Sequence, residues 1–106
     1  MDVDKLDINS LKSEYSKYKK DLLHLNEYMY KNPELGYQEV KSVDKITKLI
    51  QKHVVDTKYK RFNDIPTAFT ASINKRAGKK NVAICIEYDA LPNVGHACGH
   101  NLISSI

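Results

Sequence analysis

The sequence predicts an α/β fold, in which two helices from the first half pack on the first strands of a sheet. Three observations carry the prediction. Apolar residues recur at helical spacing in two segments before position 54. Short β-branched and aromatic stretches follow between positions 57 and 74. A continuous apolar run at positions 82–86 then leads into a polar loop rich in glycine and potential ligands.

The first helix follows from Ile8, Leu11, Tyr15, Tyr18, Leu22, Leu25 and Met29, separated by steps of 3, 4, 3, 4, 3 and 4. This lays one apolar stripe along a helix over about residues 10–30. Asn9 or Ser10 is the expected N-cap, because a short polar side chain can accept from the free amides of the first turn. Asn32-Pro33 ends the helix, since the residue before proline is pushed out of the helical region. The spacing also fits a coiled-coil seam, but tyrosine suits such a seam poorly, so a helix lying on a sheet is favoured.

Residues 33–39 form a compact connector in which Gly36 is free to take a positive φ. The second helix is expected over about residues 38–53, with Val40, Val43, Ile46, Leu49 and Ile50 on one face and lysines on the other. His24 and His53 read as surface or boundary residues of these helices. Residues 57–62 and 67–74 read as two strands joined by a turn at Asn63-Asp-Ile-Pro66. The basic cluster at positions 75–80 reads as a solvated turn. The run at positions 82–86 suits a strand covered on both faces, as in the middle of an α/β sheet, and Cys85 within it is expected to be a buried, inert thiol. Ligands of open α/β sheets bind beyond the carboxyl ends of strands, and Glu87 and Asp89 emerge at such an end.

A length of 106 residues sets at most one domain. The net charge of +4 raises the question of nucleic acid, but Arg61 and Arg76 are the only arginines among 17 basic residues, and the lysines are scattered. Arginine is the side chain favoured for phosphate and base-edge contacts, so no nucleic-acid partner is expected. No apolar run reaches the roughly 20 residues that span a bilayer, so no membrane partner is expected. The polar N-terminus lacks the apolar core of a secretory leader, which makes the cytoplasm the default location. Two cysteines make no disulfide framework.

The chemistry concentrates in Glu87-Tyr-Asp-Ala-Leu-Pro-Asn-Val-Gly-His-Ala-Cys-Gly-His-Asn101. His96, Cys98 and His100 alternate by two, so in extended chain all three could face one ion. Imidazole and thiolate are ligands preferred by zinc and its borderline neighbours. Glu87 and Asp89 could bind metal or orient a histidine from behind. Cys98 could instead act as a thiol nucleophile with His96 or His100 as base.

The whole stretch resembles a signature of the M20 family of metallopeptidases and amidohydrolases. The similarity is greatest to the branch containing aminobenzoyl-glutamate hydrolases, N-acyl-amino-acid amidohydrolases and related dipeptidases. Asn32-Pro-Glu-Leu-Gly-Tyr-Gln-Glu39 and Pro66-Thr-Ala-Phe-Thr-Ala71 resemble upstream segments of the same branch. The resemblance implies a zinc-peptidase-like catalytic domain of which positions 1–106 are an N-terminal part, one partial domain. It implies a site for two divalent ions, Zn2+ or Mn2+, with Cys98 and His100 as two of the metal ligands and Asp89 in a supporting catalytic role. Glu87 stands where the wider family has a metal-binding histidine, and His96 is expected to shape the loop; both are further candidates for the metal. Asn101 follows the aminobenzoyl-glutamate and dipeptidase-like members. The implied reaction is hydrolysis of an amide bond in a small amino-acid conjugate or dipeptide. The implied glutamate general base, the remaining ligands and the second domain through which family members often homodimerise lie beyond position 106. The chain therefore reads as a truncated gene, a split reading frame or a fragment. The non-catalytic alternative is a remnant or metal-binding module.

Overall fold

A computed structural model describes residues 7–73 and 78–106. The first helix, α1, runs Ile8–Lys31 and starts earlier than the periodicity predicts. Its cap is Asp7 rather than Asn9 or Ser10. Asp7 is extended, and its carboxylate accepts from the Asn9 amide at 3.1 Å, satisfying a free N–H of the first turn. Asn32 closes the other end, donating to the Tyr28 carbonyl from both its backbone and its side-chain amide at 2.9 Å.

Only the C-terminal part of the predicted stripe is used for packing. Leu25 and Met29 are buried, Tyr18 and Leu22 are half-buried, and Ile8, Leu11 and Tyr15 are exposed. The second helix, α2, runs Val40–His53. It buries Val43 and Ile46, half-buries Leu49 and Ile50, and leaves Val40 in solvent. Leu25, Met29 and Ile46 form the centre of the core, with Tyr28, Leu49, Ile50, Phe69, Ile86 and Tyr88 packed around them. Asp21, near the middle of α1, fastens it to the C-terminal end of α2, accepting from Lys52 Nζ at 2.9 Å and lying 2.8 Å from His53 Nε2. Tyr18 meets the His53 ring edge-on at 4.8 Å. These contacts make His53 a boundary histidine, as expected, and His24 is exposed.

The strands β1, Thr57–Phe62, and β2, Ile65–Ile73, pair antiparallel from Thr57↔Ile73 to Arg61↔Phe69. The ladder then slips to Phe62↔Ile65. Ile65 and Pro66, assigned to the turn by their composition, therefore lie in β2. Asn74 and part of the basic cluster, residues 75–77, lie outside the described residues. The helix against the sheet is α2, which packs on β2, while α1 packs on α2 and on a last short helix, α3, His100–Ile103.

The prediction of a central strand fails. Among the described residues the sheet has two strands, and residues 81–89 join no ladder. Val82 and Ile84 are 90% and 85% exposed, and Cys85 is exposed rather than buried. A strand covered on both faces needs neighbours for its amides and a layer on each side. Within the described residues that covering begins only at Ile86, which reaches the core. The segment is anchored farther on, where the Ala90 amide donates to the Glu34 carbonyl at 2.7 Å and Leu35 and Ala90 form a parallel bridge. The expected positive φ of Gly36 belongs instead to its neighbour Tyr37, at 67°.

Candidate metal-binding site

The polar loop after Ala90 is folded by its own backbone. Leu91 and Gly95 exchange hydrogen bonds, the Leu91 amide donating at 3.0 Å and the Gly95 amide at 3.1 Å. Asn93 at φ 65° and Gly95 at φ 73° make the reversal. Gly95 sits close to Pro33, so the loop rests on the connector between α1 and α2. Gly99 then takes φ 79° as the residue before α3. Nothing lies within 4 Å of where its Cβ would stand, so glycine is needed there for conformation and not for space.

This path brings His100 against two carboxylates. Its Nδ1 lies 2.8 Å from Asp89 Oδ1 and 3.0 Å from the Asp89 carbonyl oxygen. Its Nε2 lies 3.0 Å from Glu87 Oε2. The imidazole is largely covered, while Glu87 and Asp89 keep much of their carboxylate surface in solvent. A neutral imidazole carries one N–H. With that proton donated to Asp89, the Nε2 lone pair and the Glu87 oxygen face each other as two acceptors. That opposition is relieved by a second proton on the ring or by a cation beside it.

Cys98 presents an exposed thiol two residues before His100. His96 is buried, and neither ring nitrogen has a hydrogen-bond partner. Burial, and secondarily the nearby His100, pull the His96 pKa below its ordinary value, while Asp89 pulls the other way. The structure thus brings together Glu87, Asp89 and His100, leaves Cys98 at the surface, and buries His96 in the loop. Among the described residues, no group of three or more His, Cys, Asp or Glu side chains is arranged to hold a metal ion. Glu87 and Asp89 also border an open cleft of about 360 Å3, with Tyr37, Glu39, Thr67 and Ile86 on its other walls.

Two residues around this loop have roles that residue pattern did not assign. Glu34 accepts at Oε1 from the Ser42 amide at 2.6 Å and the Ser42 hydroxyl at 2.7 Å, and at Oε2 from the Lys41 amide at 3.0 Å. It is the anionic cap of α2, supplied from the preceding connector. An acidic residue shortly before a helix start is a signal that could have found it. Asn101 is buried and donates from Nδ2 to Asn26 Oδ1 at 2.7 Å. That partner lies 75 residues away, and no local pattern announces it.

No family model matches the chain. Among individual proteins, the chain is similar to the Xaa-Arg dipeptidase of Mus musculus, with 35% identity over 89 residues. It is similar to the Xaa-Arg dipeptidase of Homo sapiens, with 29% identity over 92 residues. It is also 29% identical over 99 residues to the N-acetyldiaminopimelate deacetylase of Oenococcus oeni. These relatives are members of the M20 family. The matches take in 76–77% of this chain and 21–25% of the relatives, so it spans less than a third of their length. The family is one of hydrolases, its named members here being a dipeptidase and a deacetylase. No helix among the described residues is long and apolar enough to cross a membrane.

Proposed function

We propose that this chain forms one partial domain of an M20-type, metal-dependent hydrolase that cleaves amide bonds in dipeptides or in N-acyl or aminobenzoyl amino acids. Cys98 and His100 are the ligands for a divalent ion, Zn2+ or Mn2+. The observation that supports the reading is the Asp89–His100 pair, whose 2.8 Å contact at Nδ1 would keep a proton there and turn the Nε2 lone pair, beside Glu87, toward an ion. When bound, the ion would polarise the scissile carbonyl and acidify a water.

The residues of the chain have separate tasks in that scheme. Asp89 holds the imidazole plane and keeps the proton on Nδ1. Glu87, facing Nε2, is either a further donor to the ion or its charge partner. The Cys98 thiol, exposed two residues before His100, supplies the soft ligand. His96 is buried inside the loop, where burial holds its pKa below the ordinary value. The cleft beside Glu87 and Asp89 is open enough to admit a small amino-acid conjugate.

Titration of the metal-free protein with Zn2+ tests the assignment. Wild-type protein should take up one ion, and the Cys98→Ala, His100→Ala double variant should lose that uptake. Equal affinity in both would refute the ligand assignment.

A second reading has one observation in its favour. Among the described residues, no group of three or more His, Cys, Asp or Glu side chains is arranged to hold a metal ion. So few ligands would support binding without turnover, as in a metal-binding module. The 106-residue protein alone should therefore show no appreciable hydrolysis of N-acyl amino acids or dipeptides. Robust metal-dependent turnover by protein of this length would contradict that expectation.

A further inference from the structure

We infer that Asn26, on α1, is a positioning residue for the His100 imidazole and acts through Asn101. The inference rests on the reading of His100 as a metal ligand. His100 and Asn101 are the first two residues of α3, a helix of four residues. So short a helix has no stability of its own, because nucleation costs more than one turn returns. It also has no side-chain cap, and Gly99 before it imposes no rotational constraint from a side chain. The orientation of α3 is therefore set by what it touches.

What it touches is α1. Asn101 is 6% exposed, and its Nδ2 donates to Asn26 Oδ1 at 2.7 Å. The Asn101 carbonyl accepts from Ser104 Oγ at 3.2 Å and Ser105 Oγ at 2.8 Å, closing the turn on itself. Ser104 Oγ lies 3.4 Å from the sulfur of the fully buried Met29, one turn along from Asn26. Successive residues of a helix point about 100° apart around its axis. Holding the Asn101 side chain against α1 therefore aims the His100 side chain away from it, toward Asp89 and Glu87. A 24-residue helix packed in the core provides the fixed reference, and one amide pair transmits it.

The pair is chemically specific. An apolar side chain at position 26 would leave the buried Asn101 amide without a partner, and α3 would have to shift or admit water to satisfy it. Aspartate at position 26 keeps the acceptor in place.

The test uses the full chain with two readouts. The first is the pair of ring 15N resonances of His100 in metal-free protein, which report the Nδ1 hydrogen bond to Asp89. The second is titration with Co2+ alone, followed by the thiolate-to-metal absorption. Asn26→Leu should move the ring resonances and weaken Co2+ binding by about 10–100-fold, as loss of an outer-shell partner does. Asn26→Asp should keep the wild-type ring resonances and bind Co2+ no more weakly than wild type. Ile46→Val, a packing change in the same core, should leave both readouts unmoved. Unchanged ring resonances and unchanged Co2+ affinity in Asn26→Leu overturn the inference. If Asn26→Leu does not fold, Asn26→Ala replaces it, and failure of both to fold also overturns the inference, since the pair would then hold the fold and not the ring. If wild-type protein binds no Co2+, the metal reading falls, while the ring resonances still decide the positioning role.

Discussion

The carboxylate of Glu34 offers the sharpest test of how this chain holds its shape. It accepts three hydrogen bonds at the start of α2, two of them from Ser42, whose side chain has no exposure to solvent. Glu34→Ala removes all three acceptors and leaves the Ser42 hydroxyl buried and unpaired. A stranded buried donor costs about 1–3 kcal/mol. Loss of an N-terminal cap costs about 0.5–2 kcal/mol. These overlap, and we expect a net loss of roughly 2–3 kcal/mol. At about 4–8 °C per kcal/mol for a domain near this size, Tm should fall by roughly 10–20 °C. Glu34→Gln keeps one acceptor oxygen and should lose about half as much. Thermal unfolding followed by helical circular dichroism gives the answer, with Glu27→Ala as control. Among the described residues Glu27 pairs with Lys31 on the exposed face of α1, at 2.7 Å, where solvent screens the contact, so its removal should leave Tm close to that of wild type. If Glu34→Ala melts within 2 °C of that control, measured to about ±1 °C, the capping argument is wrong.

The same carboxylate predicts a pH effect. Burial pushes its pKa up, but the bonds from Ser42 and Lys41 outweigh this and hold it below the ordinary 4.5. A folded-state value below the unfolded one means the stabilisation is fully present above about pH 4.5 and is lost as pH falls through the folded-state value. Acid titration of stability should therefore be shallower in Glu34→Gln than in wild type over that window. Gly99→Ala should cost about 1–2 kcal/mol from its left-handed backbone alone, and Gly99→Asn less; equal stability in urea for all three proteins would contradict the conformational argument. Tyr88→Phe removes the hydroxyl that donates to the Thr67 carbonyl and should cost about 1 kcal/mol, read as a shifted urea midpoint with an unchanged slope.

Elements defined by short-range pattern were legible in the sequence. Strand β1 matches the predicted residues, and the helices differ from their predicted limits by a residue or two. The errors share a cause. Asp7 is the cap rather than Asn9 or Ser10 because the helix takes in Ile8, the first residue of the apolar stripe, and the Asp7 carboxylate reaches the Asn9 amide. The positive φ fell on Tyr37, not Gly36, because the Glu39 carboxylate accepts from the Tyr37 amide at 3.0 Å and holds the turn there. The composition of residues 82–86 states what a covered strand would bury, while the described residues give Val82 and Ile84 nothing to be buried against. The site was legible as an inventory. Its geometry was not: the contacts of His100 with Asp89 and Glu87 depend on how the loop between them closes, and the Asn26–Asn101 pair depends on where α1 lies.

The tie between Asn101 and Asn26 also has a kinetic meaning. Its two ends are 75 residues apart, and closing so long a loop costs roughly 4 kcal/mol of chain entropy beyond the constant term. The β1–β2 hairpin and the two long helices need no closure of that length. They form from neighbours in the chain, and only afterwards does α3 find a surface to dock on. The candidate ligands are thus assembled last as the protein folds and released first when it opens. In amide hydrogen exchange, the segment from Gly99 to Ser105 should lose protection while the centres of α1 and α2 are still closed.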